Sequence, residues 1–155
     1  MKIKIIGIGH LKDGYLREME ADYLKRLSRY AKVEVTESED FPNRPGEEEK
    51  AMLKEWEKAS RLIRPTSFLC ALDPRGKELS SHELPDFLEK ASIKGKGEIV
   101  FLIGGSLGLD EKARQRADYL FSLSKLTLTH GFARALLLEQ LYRAFKIRAG
   151  EPYDK

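Results

Sequence analysis

The sequence predicts an α/β fold: one domain with a mostly parallel sheet and helices on both faces. Five short apolar or alternating segments are separated by stretches with helical periodicity, and turn residues punctuate the joins. The length of 155 residues suits one domain covering 1–155, with no repeat, low-complexity run or linker to divide it.

The elements follow in order. Lys2–Ile8 alternates polar and apolar residues before turning apolar, which reads as a strand. Beyond it Tyr15, Met19, Tyr23, Leu27 and Tyr30 recur at helical spacing, with Asp13 as the expected N-cap accepting a free backbone N–H. Lys32–Ser38 alternates again through Val33 and Val35. Pro42, Pro45 and Gly46 then mark a loop. Glu47–Ile63 is expected to be helical, with Glu47, Glu48 and Glu49 at its positive end and Met52, Trp56, Ala59 and Ile63 as its buried stripe.

Ser67–Leu72 reads as a strand that stops at the turn signal Asp73-Pro74-Arg75-Gly76. Ser80 and Glu83 have the spacing of a capping box for a helix to about Ser92. Glu98–Ile103 is an apolar strand running into Gly104-Gly105-Ser106-Leu107-Gly108, and Asp110 opens a helix to about Ala117. A strand at Tyr119–Leu123 leads through a loop to His130, and the last helix covers Phe132–Ile147.

Composition sets the outer limits. An apolar share of 41% and a charged share of 34% are enough for a core and a polar surface. The single cysteine, Cys70, has no internal partner and sits in an apolar strand, so it reads as a small buried hydrophobe in a reducing compartment. The apolar N-terminal stretch is short and interrupted, and no segment approaches a membrane span, so a cytoplasmic location without a membrane partner is expected. A net charge of +3 does not by itself indicate a nucleic-acid partner, which needs local clustering.

Ligands of open parallel sheets bind beyond the carboxyl ends of the strands. Three such ends are unusual here: Leu72 to Gly76, Ile103 to Gly108, and Leu123 to His130. Glycines let main-chain N–H groups approach a ligand, although Gly104-Gly105-x-x-Gly108 departs from the dinucleotide fingerprint and a tight turn explains it equally well. The run Leu126-Thr127-Leu128 is apolar for an exposed connection. It suits either an adenine face with amides at the ring edge or ordinary core packing. His130 stands as a base, an RNA contact or a cap. Arg134, Arg143, Lys146 and Arg148 suit either phosphates, with Tyr153 stacking on a base, or a solvated helix end. No metal-ligand spacing and no Ser/His/Asp set appears, so no metal is expected.

At these residues the chain resembles the RlmH family, the small single-domain members of the SPOUT superfamily of trefoil-knotted methyltransferases. The resemblance runs nearly end to end. It is carried by Leu102-Ile103-Gly104-Gly105-Ser106-Leu107-Gly108-Leu109, by Leu123-Ser124-Lys125-Leu126-Thr127-Leu128-Thr129-His130, and by Glu139 to Ile147 continuing to Gly150-Glu151-Pro152-Tyr153. It implies a C-terminal trefoil knot, a homodimer, and S-adenosyl-L-methionine held in the knot loops. It also implies methylation of N3 of a pseudouridine in 23S ribosomal RNA of the assembled ribosome, with no DNA partner.

By position, the resemblance assigns Leu72, Gly104, Gly105, Leu123, Ser124, Lys125, Leu126, Thr127, Leu128 and Thr129 to the cofactor, and His130, Arg143, Tyr153 and Asp154 to the reaction centre. The family usually carries histidine after the tyrosine. Asp154 therefore either replaces it as a carboxylate proton acceptor or shows that the position is dispensable. Two other readings stand beside this one: a non-catalytic RNA- or ribosome-binding module, and a methyltransferase of a small molecule.

Overall fold

A computed structural model describes residues 1–153; Asp154, assigned above to the reaction centre, lies outside them. Ten elements run in the order β1 (Lys2–Ile8), α1 (Gly14–Leu27), β2 (Lys32–Ser38), α2 (Glu48–Ser60), β3 (Phe68–Glu78), α3 (Leu84–Lys94), β4 (Glu98–Ile103), α4 (Glu111–Arg116), β5 (Tyr119–Ser122) and α5 (His130–Arg148). The strands form one sheet in the order β2-β1-β4-β3-β5, with every pairing parallel. The α/β reading holds, and this strand order is consistent with the implied knot.

Strand alternation divides the core between two faces. Ile3 and Ile5 of β1 with Ile99, Phe101 and Ile103 of β4 meet Leu27 of α1, Leu88 of α3, and Leu137, Leu138 and Leu141 of α5. On the other face Ile6, Ile8, Val100 and Leu102 meet Ala59 of α2 and Ala113 of α4. β4 lies at the centre and is buried along its whole length, so it reads as an unbroken apolar run.

Several local expectations change. β3 does not stop at Leu72. Leu72 and Lys77 both pair with Phe121, and the residues between them form an irregularity that carries the strand on to Glu78. Proline lacks an N–H for the ladder but is tolerated in a bulge, so Pro74 marks a distortion rather than an end. Close packing at Gly76 fits this course, since a Cβ there would lie 2.4 Å from the carbonyl oxygen of Leu120. Asp13 caps α1 through its backbone carbonyl, which accepts from Leu16 and Arg17, and not through its carboxylate. Tyr15 is exposed, and Leu16 takes the buried place at the start of that helix. α2 ends at Ser60, short of the expected Ile63; its buried positions are Ala51, Glu55 and Ala59, while Met52 and Trp56, and Ile63 beyond its end, are only half-buried.

The reciprocal bonds of the expected capping box form, Glu83 accepting from the Ser80 amide at 2.9 Å and Ser80 Oγ from the Glu83 amide at 3.2 Å, but they close the turn before α3, whose own N-cap is Glu83. Asp110 caps α4 through Lys112 N. α5 begins at His130, two residues earlier than expected, because Thr129 is its N-cap and accepts from Phe132 N. Among the described residues no helix is long and apolar enough to cross a membrane.

Candidate functional site

All five strands run the same way, so the loops that follow β1, β4 and β5 open at one edge of the sheet. The loop after β4 is a tight turn. Gly108 N donates to the Gly105 carbonyl at 3.0 Å, and Gly108 has φ +84°, a left-handed conformation that favours glycine. A Cβ on Gly104 would lie 2.9 Å from the Gly108 carbonyl carbon, so that position has no room for a side chain. Gly105 is less confined, with Ile8 and Glu55 as its nearest neighbours.

The second loop runs from Leu123 to Thr129. Ser122 Oγ donates to the Ser124 carbonyl at 2.9 Å, and Ser124 Oγ accepts from Leu126 N at 3.0 Å. The Leu126 side chain is 74% exposed, which answers the core-packing reading for that residue. Among the described residues the amides of Thr127 and Leu128 have no protein acceptor. An exposed apolar side chain beside unpaired amides fits a flat aromatic ligand with acceptors on its edge, which is the chemistry of adenine. Leu72 reaches the same edge at the end of the regular β3 pairing, opposite Phe121 of β5.

His130 joins the glycine turn to α5. Its Nδ1 donates to the Gly104 carbonyl at 3.2 Å, leaving Nε2 to accept from the Arg134 guanidinium at 3.3 Å. Burial pushes the His130 pKa down, with Arg134 adding to this, against the raising effect of the Gly104 hydrogen bond. The ring is therefore neutral near pH 7, and both nitrogens are engaged.

Beneath it Arg134 is 2% exposed and fully partnered. Its Nη2 donates to Glu20 at 2.7 Å and its Nη1 to Glu37 at 2.7 Å. Burial pushes the Glu37 carboxyl up, but hydrogen bonds from Arg134, the Leu11 amide and His10 outweigh it and hold the group at about 2. Sequence reasoning placed Arg134 among possible phosphate contacts, but the structure makes it an internal tie from α5 to α1 and β2. Its position one helical turn after His130 was the available signal. Glu20, Glu37 and Glu55 were missed altogether. Glu55 is buried beside Gly105, with Oε2 accepting from Phe41 N at 3.0 Å and Oε1 unpartnered.

Arg143 and Tyr153 form a second cluster. Arg143 donates to Glu139 at 2.6 Å and lies 4.8 Å from the centre of the Tyr153 ring. The Tyr153 hydroxyl donates to the same Glu139 oxygen at 3.4 Å and meets the Tyr23 hydroxyl. Burial, with the Tyr23 contact and the Glu139 charge, pushes the phenol well above its ordinary value, so it stays protonated. Lys146 pairs with Glu151, whose other oxygen accepts from Tyr30.

The two clusters do not meet within one chain. His130 and Arg143 are 13 residues apart on one helix, roughly 20 Å at the α-helical rise. The glycine turn, His130 and the Leu123–Thr129 loop gather at the carboxyl ends of the strands, while Arg143 and Tyr153 lie far along α5.

Comparison with known proteins bears on this arrangement. A family model described as predicted SPOUT methyltransferase matches residues 1–154. A protein of Carboxydothermus hydrogenoformans named Ribosomal RNA large subunit methyltransferase H is 46% identical, with 100% of both chains covered. A protein of Pelotomaculum thermopropionicum with the same name is 48% identical over 97% of both. Among solved structures, a probable methyltransferase from Bordetella pertussis Tohama I superposes with a TM-score of 0.58 at 14% identity. The alignment covers 93% of this chain and 95% of that one, a likeness of fold.

Proposed function

The chain belongs to the SPOUT methyltransferase family, and on that premise we propose that it methylates N3 of a pseudouridine in 23S ribosomal RNA on assembled ribosomes in the cytoplasm. The observation that carries this reading is end-to-end similarity, at 46% identity, to a relative named for large-subunit ribosomal RNA methylation. The edge of the sheet supports it independently. A glycine turn without room for a side chain at Gly104 and a loop with unpaired amides at Thr127 and Leu128 suit S-adenosyl-L-methionine, with Leu72, Gly105 and the run Leu123 to Thr129 around it. When bound, the cofactor supplies an electrophilic methyl group on a sulfonium.

The protein's part is alignment and proton management. His130 is neutral with both nitrogens engaged, so it positions the Gly104 turn rather than accepting the substrate proton. Arg143, steered by Glu139 and stacked on Tyr153, stabilises the negative charge that develops as N3 loses its proton. Asp154 is assigned as the acceptor of that proton, and Tyr153, which stays protonated, flanks the base.

The distance along α5 supports a homodimer as the working form. One chain holds its cofactor loops and its Arg143–Tyr153 cluster roughly 20 Å apart. A second copy brings the tail of one chain to the glycine turn of the other.

The test is transfer of a labelled methyl group from S-adenosyl-L-methionine to purified ribosomes, with the modified nucleotide mapped. Label at N3 of a large-subunit pseudouridine supports the reading. Cofactor binding without transfer points to a binding module, and transfer to free nucleosides alone points to a small-molecule enzyme. Either overturns it.

A further inference from the structure

The edge of the sheet opposite the glycine turn carries a concavity of about 440 Å³ between the α2–β3 turn, the α3–β4 turn and the start of β5. Lys94, Lys96, Arg116 and Asp118 line it together with Thr66 and Ser67. Three cations face one carboxylate, in a chain whose overall charge is only +3. One Asp118 oxygen is already shared between the Leu69 amide and Arg116, which leaves the mouth cationic. Among the described residues neither Lys94 nor Lys96 has an ion-pair partner, and both are exposed.

Two of these cations close helices, Lys94 in α3 and Arg116 in α4, where a positive charge also complements the helix dipole. Lys96 follows Lys94 at the same helix end, where its amide donates to the Ile93 carbonyl and Gly97 N donates to the Ser92 carbonyl, the pattern of a helix C-terminal cap. Lys96 lies beyond the end of α3 with φ +52°, a left-handed conformation that glycine or asparagine adopts at lower cost. Arg116 is fixed by its bonds to Asp118 and to the Ser67 carbonyl, so its charge stands at one place on the wall. At the opposite edge the carboxylates Glu37 and Asp73 are paired with Arg134 and Arg114. β4 spans the two edges, and its length separates them by roughly 17 Å.

We infer that this concavity grips the phosphodiester backbone of the RNA substrate at the edge of the sheet away from the chain's own glycine turn, with Lys94 and Lys96 as the phosphate contacts and Arg116 as a fixed charge on the same wall. The contact is independent of sequence and serves to dock the enzyme. The inference rests on the reading of the substrate as RNA.

The experiment pairs Lys94→Gln with Lys96→Gly in the full chain and uses purified ribosomes as the probe. Lys96→Gly removes the charge while relieving the backbone, so a lowered melting temperature is not expected. The double variant is expected to raise KM and Kd for ribosomes about tenfold, with kcat and cofactor affinity unchanged. The slope of log Kd against log salt should also fall by about 1 to 2. KM, Kd and slope equal to those of the unsubstituted protein would overturn the inference. If the unsubstituted protein binds ribosomes but transfers no methyl group, the proposed function fails while the binding arm still decides this site.

Discussion

The imidazole of His130 donates to the carbonyl of Gly104 across 3.2 Å, binding the first turn of α5 to the turn that follows the central strand. These residues are 26 apart in sequence, and no other side chain bonds that carbonyl among the described residues. Losing one neutral hydrogen bond costs ~1 kcal/mol. His130→Ala is therefore expected to weaken S-adenosyl-L-methionine binding roughly five- to tenfold, measured by calorimetry. His130→Asn, which keeps a donor, should lose less. Equal affinity in all three proteins would show that the turn is held without the ring. Because the folded pKa is depressed, the ring's contribution to stability is present above the unfolded value near ~6.5 and is lost as pH falls below it. The melting temperature should drop from pH 7 to pH 5.5 in the parent protein and less in His130→Asn.

The Arg134–Glu37 pair makes a separate prediction in acid. The Glu37 carboxyl is held at about 2 in the fold against an ordinary 4.5, so its contribution is present above 4.5 and is lost as pH falls toward 2. Glu37→Gln should flatten that part of the stability profile in denaturant titrations. Arg134→Leu leaves Glu20 and Glu37 without their partner and should cost about 3 kcal/mol at pH 7. An unchanged midpoint would mean that water replaces the guanidinium at no cost.

Glu55 carries the opposite sign. Burial pushes its carboxyl up, Asp40 adds to this, and the Phe41 amide only partly offsets them. Protonation is favoured more in the fold than in the open chain, so stability falls as pH rises above the unfolded value near ~4.3. Glu55→Gln keeps an oxygen for the Phe41 amide and removes the charge. At pH 8 it should raise the melting temperature by roughly 2–4 °C, the equivalent of ~1 kcal/mol, with a smaller gain at pH 5. No gain at pH 8 would show that Asp40 and solvent already accommodate the charge.

How far these features were legible depends on their range. β1, β2 and β4 were bounded correctly because alternation or an unbroken apolar run is a local property. β3 was cut short because Pro74 and Gly76 signal a turn to any local reading. Only pairing with β5 shows that the strand resumes at Lys77. Arg134 and Glu55 look like solvated helix positions, and their burial depends on partners far away in sequence, Glu20 being 114 residues from Arg134. The loops of the candidate site were visible as glycine and apolar clusters. Their distance from Arg143 was also readable, since it follows from helix length alone, but position by resemblance placed His130 and Arg143 together and hid it.

That distance gives the most direct test of how the site is assembled. A Cβ on Gly104 would press on the Gly108 backbone at 2.9 Å, so Gly104→Ala should disable the cofactor turn and leave Arg143 intact. Arg143→Ala should do the converse, with transfer to ribosomes reduced and cofactor affinity kept. If each site combines the glycine turn of one copy with the tail of the other, a heterodimer of the two variants has one site carrying both lesions and one carrying neither. Equal amounts dissociated and reassociated at random give heterodimers as half of all dimers, and thus about a quarter of the parental activity. If the site lay within one chain, every site in the mixture would carry one lesion, and activity would stay at the level of the separate variants. Recovery requires that the tail cross between copies, because no rotamer of Arg143 spans roughly 20 Å along its own helix.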